Sequence, residues 1–200
     1  MKLQEKLPES VTVKGRKIPL DLDFRNVLNM MDILARDDLT PEAREFLALK
    51  CIMVKRTPNR TGEIMRAVRE LLFPVTKKGA AKEKLTDFEQ DADLIRAAFW
   101  QTYKINLYRE KLHWFEFTAL LHGLPEGSRY SDVIGIRARP MPKPTKYNAE
   151  ERQWLAKAKA EYAVRLTDKE QENRLKDGLR AVAHSLLALS EMGGGGKNGG

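Results

Sequence analysis

Apolar residues recur every third or fourth position through most of this chain, the spacing of helices that bury one face. Phe24, Val27, Leu28, Met31 and Leu34 form one such stripe, with Asp21 or Asp23 placed to cap it. Thr40 followed by Pro41 reads as the N-cap and first residue of a second helix, reaching about Val54 and facing inward through Phe46, Leu49 and Met53. A third helix spans about Gly62 to Leu72, with Ile64, Ala67, Val68, Leu71 and Leu72 on one side, and Pro74 ends it. A fourth opens on the acids Asp87, Glu89, Asp91 and Asp93, which suit a positive helix N-terminus, and carries Phe88, Ala92, Ile95 and Phe99 inward. Residues 10–20, "SVTVKGRKIPL", break the rhythm. Val11 and Val13 alternate with polar neighbours, a glycine turn follows, and Ile18 and Leu20 alternate again, which predicts a β-hairpin with Pro19 on an edge strand. A lone hairpin is marginal in water, so it must lie on helices or pair with another chain.

The segment "EKLHWFEFTALLHGLP" at 110–125 sets a histidine against Trp114, with Phe115 and Phe117 close behind. Leu112, Phe115, Ala119 and Leu120 mark one helical face and Trp114, Phe117 and Leu121 the adjoining one. A helix apolar on most of its circumference belongs at the centre of a bundle. Phe24, Phe99, Trp114, Phe115 and Phe117 are therefore assigned to the core, with His113 at its edge, bonded to a neighbouring backbone group or carboxylate. Gly123 and Pro125 stop the helix, and Ser128 caps one more short helix after it.

"PMPKPTKYN" at 140–148 holds too many prolines for a helix and reads as a stiff linker. Helical patterns resume over 149–191. There Leu175, Leu179, Val182, Leu186 and Leu189 alternate steps of four and three, a coiled-coil-like seam two heptads long that needs a partner. The expected organisation is a helical core with its hairpin (1–139), a linker (140–148), a C-terminal helical segment (149–191) and a glycine-rich tail (192–200). The fold class is mainly α: a multi-helix bundle with a small N-terminal β-hairpin and a C-terminal helical extension.

Charge adds a partner question. The 200 residues carry 36 Lys+Arg against 28 Asp+Glu, a formal +8, and residues 50–84 hold ten basic and three acidic side chains, which is most of that excess. Lys55, Arg56, Arg60, Arg66, Arg69, Lys77 and Lys78 define a basic patch suited to an acidic protein face or, as the rival reading, to nucleic acid. Phe73 alone is aromatic in that span, which argues against stacking on bases. No run approaches the ~20 apolar residues of a membrane span, and "MKLQEKLPES" lacks a signal-peptide core. The expected setting is the cytoplasm. Cys51 is alone, in an apolar context that suits an inert thiol.

The chemistry-bearing residues do not assemble into a recognisable site. Glu110 and His113 have the Glu-x-x-His spacing of carboxylate-bridged metal bundles, but such a site needs a second copy, and the chain has none. His113 and His122 are nine positions apart, which on one helix puts them on opposite faces. No phosphate loop, dinucleotide motif or nucleophile elbow occurs. Neither a cofactor, a metal nor an enzymatic activity is expected.

Four stretches together resemble a known family. "DLDFRNVL" (21–28), "DFEQDADLIRAAFWQTYKINL" (87–107), "LHWFEFTALLHGLP" (112–125) and "VIGIRAR" (133–139) are similar to the bacteriophage "gene product fifteen" family of siphophages and prophages, over about Val11 to Arg139. Asn106 stands where the family pattern has aspartate, and either residue can cap. The resemblance implies a non-enzymatic tail morphogenesis factor: a tail assembly chaperone in the bacterial host cytoplasm that binds the tape measure protein, works beside the tail tube protein and self-associates as a homo-oligomer. A structural tail component kept in the virion is the alternative it leaves open.

Overall fold

The computed structural model describes residues 4–55, 60–74 and 84–165. The protein is mainly α, with seven helices and one two-stranded antiparallel sheet among those residues. Residues Met1–Tyr162 form one compact unit, and Ala163–Gly200 form a second. The seam at Leu175, Leu179, Val182, Leu186 and Leu189 lies outside the described residues, as do Arg56, Lys77, Lys78 and the 192–200 tail.

Strands β1 (Ser10–Val13) and β2 (Arg16–Pro19) pair in the register Val11 opposite Ile18, so these two side chains share the buried face. The turn is Lys14–Gly15, and both residues have positive φ (47° and 75°). That geometry matches the right-handed twist of the strands, and glycine adopts it without strain. The hairpin lies on helices: Lys14 reaches Glu63 at 2.8 Å, and Leu20 bridges to Met53.

Helix α1 (Phe24–Ala35) starts where the Asp23 carboxylate accepts from the Arg25 backbone N–H, and α2 (Pro41–Ile52) where Thr40 accepts from Ala43. Both caps follow from the sequence. The buried stripes differ in detail. In α1, Met30 is fully buried and Met31 only partly so. In α2, the inward residues are Ala48, Leu49 and Ile52, while Phe46 is 40% exposed and lies beside the Lys50 ammonium. Helix α3 (Thr61–Leu72) buries Ile64, Met65, Val68 and Leu72.

The acidic run does not begin a helix at 87. Helix α4 (Ala92–Tyr103) starts five residues later, after a turn in which the Asp87 carboxylate accepts from the Glu89 and Gln90 backbone. Asp91 has a different use. It is 1% exposed, and Arg137 of α6 (Arg129–Ala138) clasps it with two hydrogen bonds of 2.6 and 2.8 Å. Arg137 also donates to Leu85 O at 2.8 Å and to Tyr162 O at 2.5 Å. One guanidinium thus ties α6 to the start of α4, to the 84–87 segment and to the end of α7 (Ala149–Glu161). Helix α7 presents Leu155 and Ala158 inward and packs on α6, and Lys159 donates to Arg137 O at 2.6 Å. Segment 140–148 joins the two helices without regular structure, and Asn148 braces it by accepting from Thr145 N.

Removing one partner of a buried ion pair strands the other, at a cost of ~3–5 kcal/mol. Arg137→Met is therefore expected to lower stability by about that amount in urea unfolding. The double variant Asp91→Leu/Arg137→Met is expected to recover part of the loss, because no buried charge remains.

Candidate functional site

Helix α5 (Trp114–His122) is shorter than the aromatic run suggests, and His113 lies just outside it as the N-cap. Its Nδ1 accepts from the Phe115 N–H at 3.3 Å, and the Glu116 carboxylate accepts from the His113 N–H at 3.1 Å, a reciprocal capping box. The ring's other nitrogen, Nε2, meets Pro8 O at 3.0 Å. With Nδ1 accepting, the ring proton sits on Nε2 and is donated to that carbonyl. Both nitrogens are thus spent on backbone groups. The start of α5 is also pinned beside the start of α1: Phe24 N donates to Leu112 O at 2.9 Å, and Trp114 N to Leu22 O at 2.7 Å.

Only one face of α5 is buried, through Trp114, Phe117 and Leu121, so it is a wall of the bundle rather than an axis surrounded on all sides. Phe115, half-buried, stacks on the His113 ring at 5.5 Å, and Ala119 is exposed. Phe117 is the hub: Phe24 stacks on it at 4.6 Å, Phe99 at 5.4 Å and Trp114 at 6.0 Å, with Phe88 tilted against it at 6.1 Å. At the far end of α5, Tyr103 donates to Leu120 O and its hydroxyl leaves only 3.2 Å for a Cβ at Gly123, which makes that position tight for any larger residue.

The same hub floors a surface cleft of about 590 Å³. Leu28, Phe88, Ile95, Leu107 and Phe117 line its apolar floor, and Arg25, Asp32, Glu89, Asp93 and Arg96 stand around it. Arg25 pairs with Asp23 and Arg96 with Asp93, at 2.9 and 3.0 Å, and Arg96 also stacks on Tyr108 at 4.5 Å. Asp32 and Glu89 have no cationic partner among the described residues. Burial raises the proton affinity of Asp32, and the charges of Glu89 and Asp87 raise it further. Among the described residues no His, Cys, Asp and Glu come together in a set that could hold a metal.

A second cleft, of about 660 Å³, lies beside the hairpin and gathers Lys14, Arg16, Lys17, Lys55 and Arg60 over Val13, Ile18, Pro19, Met53 and Ile64. The structure therefore joins Lys55 and Arg60 of the expected basic patch to three hairpin cations that the 50–84 boundary leaves out. Arg66 and Arg69 belong to another depression on α3, where Arg69 pairs with Glu45 at 3.3 Å. Cys51 is partly buried, and burial pushes its thiol up, the wrong direction for a nucleophile. Asn106 starts the 106–110 turn: its side-chain oxygen accepts from Tyr108 N and its carbonyl from Arg109 and Glu110.

These core elements are the stretches that carry the family resemblance, and the family model described as bacteriophage Gp15 protein matches residues 3–164. The chain belongs to that family. The match covers the hairpin, the seven helices of the described residues and the 140–148 connection, beyond the 11–139 span of the motifs. No curated protein and no solved structure matches the chain. Membership in the Gp15 family supports a phage-related structural or morphogenesis role. No helix among the described residues is long and apolar enough to cross a membrane.

Asp32 of the Gp15 cleft carries a stability prediction. A raised folded-state proton affinity means that charged Asp32 costs stability at neutral pH, and that the cost fades as pH falls through its raised pKa. Asp32→Asn is expected to raise the melting temperature at pH 7 and to narrow the gap from wild type as the buffer is acidified. Loss of the cap in His113→Ala is expected to cost ~1–2 kcal/mol in the same melts.

Proposed function

We propose that this Gp15-family chain is a non-enzymatic tail assembly chaperone that holds the tape measure protein while tube subunits polymerise around it, in the cytoplasm of the bacterial host. The observation that carries the reading is the cleft over Phe117. It pairs an apolar floor with two uncompensated carboxylates on a rigid aromatic base, which suits one face of a basic amphipathic helix. An extended helical protein such as a tape measure offers such faces repeatedly. His113, the residue most suggestive of catalysis, is committed through both ring nitrogens to backbone groups.

The basic hairpin cleft favours a second reading, binding of a polyanion such as nucleic acid. Its floor is aliphatic, with no aromatic side chain among its lining residues to stack on a base, so a protein partner fits it better.

Co-expression with a phage tape measure protein is the direct test. The tape measure is expected to stay soluble and to co-purify with the chain, and Leu28→Asp in the cleft floor is expected to weaken recovery at least roughly tenfold. A tape measure that remains insoluble and unbound beside well-folded chain contradicts the chaperone reading. Presence of the chain in purified virions, measured by mass spectrometry, favours the structural-component alternative.

A further inference from the structure

The hairpin cleft is walled by the free edge of β2, and the register of the sheet decides which backbone groups face it. Leu20 N donates to Glu9 O at 2.8 Å, and bonded pairs alternate along an antiparallel ladder. Val11–Ile18 and Val13–Arg16 are therefore bonded pairs, and Thr12–Lys17 is not. Lys17 turns its N–H and C=O away from β1 and leaves them without a strand partner. Residues 52–54 cover the same edge only at its far end, where Asp21 N donates to Ile52 O at 2.7 Å and Leu20 bridges to Met53. The side chains add a charge pattern. Five cations stand over the aliphatic floor, and no acid lines the cleft. Glu63 engages two of them, Lys14 at 2.8 Å and Arg60 at 3.7 Å. Arg16 and Lys17, on opposite faces of β2, and Lys55, past the end of α2, are exposed and have no acidic partner among the described residues.

We propose that this cleft holds an extended acidic segment of a protein partner, laid along the open end of the β2 edge. Its backbone bonds to the Lys17 N–H and C=O, its aliphatic side chains rest over Pro19 and Met53, and its carboxylates answer Arg16, Lys17 and Lys55. Successive side chains of an extended segment point to opposite faces, so alternating apolar and acidic residues meet floor and rim together. Main-chain bonding gives such a contact its affinity, and the side-chain pattern gives it selectivity. Lys17 and Pro19 also guard the edge against arbitrary strands, so it admits only a segment that supplies carboxylates. Nucleic acid offers negative charge but brings neither aliphatic side chains for the floor nor a peptide backbone for the edge. The contact is independent of tape measure capture over Phe117, because the two clefts share no lining residue.

The test is fluorescence anisotropy of a short labelled peptide that alternates valine and glutamate, titrated with the full-length chain at low and high salt. Saturable binding is expected, weaker as salt screens the contact. Lys17→Glu/Lys55→Glu is expected to weaken it at least roughly tenfold, because like charges then face each other. Circular dichroism melts confirm that the variant is folded. If it is not, Lys55→Glu alone is run, at a position outside regular structure. A peptide of glutamate alone is expected to bind at least roughly tenfold more weakly, having nothing to bury on the floor, and a valine–lysine peptide is expected not to bind. N-methylation of the valines and of the glutamates, in separate peptides, is expected to weaken one and spare the other, because successive N–H groups point to opposite edges. Leu28→Asp, altered in the other cleft, is expected to bind the peptide as wild type does, which tells failure here from failure of tape measure capture. Absence of binding by the valine–glutamate peptide overturns the proposal. So do charge reversal without effect, equal binding by the glutamate-only peptide, tolerance of N-methylation in both sets, or loss of binding in Leu28→Asp. A single-stranded oligonucleotide that binds more tightly and displaces the peptide also overturns it, and makes the cleft a nucleic-acid site.

Discussion

Phe117 is contacted by aromatic rings from four parts of the chain: Phe24 at the start of α1, Phe88 in the turn before α4, Phe99 within α4, and Trp114 one turn back on α5. Large rings bury more area per side chain than any other residue type, and offset stacking adds a directional preference to that burial. Meeting all of them at once fixes where α1 and α4 lie against α5. The backbone bonds that join Leu22 to Trp114 and Phe24 to Leu112 hold the same junction from outside. The cleft lies over this stack, with Phe24 and Phe117 buried beneath it and the half-buried Phe88 in its wall. Core and candidate binding surface are two faces of one packing arrangement.

Electrostatics then separates what is buried from what is offered. The interior charge, Asp91, is answered by a bidentate arginine that serves two further structural contacts, so its desolvation is compensated by hydrogen bonds in good geometry. Asp32 and Glu89, at the cleft, receive no such answer among the described residues. A protein that neutralises one carboxylate so thoroughly and leaves Asp32, whose proton affinity is raised, beside an apolar hollow has kept a feature that disfavours the isolated fold. That is the trade seen where a surface serves a partner rather than stability.

Much of this was legible locally. Asp23, Thr40–Pro41 and Ser128 start helices where their residue types allow it, and Lys14–Gly15 turns the hairpin, because caps and turns are decided by a few adjacent residues. Helix faces were less secure. Leu49 is inward as the spacing requires, but its neighbours Ala48 and Ile52 share the interior while Phe46 goes to the surface, since small residues let α2 approach its partners closely and an aromatic would not. His113 carried a usable signal: Glu116 three residues on is a capping-box partner, though histidine is an uncommon cap. Asp91 carried none. Its partner is 46 residues away, and the acidic run around it looks like ordinary dipole complementation until α6 is in place. The cleft was invisible for the same reason, being assembled from α1, the 88–96 segment and the 107–108 turn.

The central claim is that the aromatic stack is rigid scaffolding whose outer rim does the gripping. Amide hydrogen exchange of the Gp15-family chain, alone and with the tape measure protein, tests it most directly. The account predicts that amides of α5 exchange only through global unfolding in both states, while those of Leu28–Asp32 and Glu89–Arg96 gain protection on binding. Local opening of α5 in the free chain, or protection appearing elsewhere while the cleft rim stays unchanged, would contradict it.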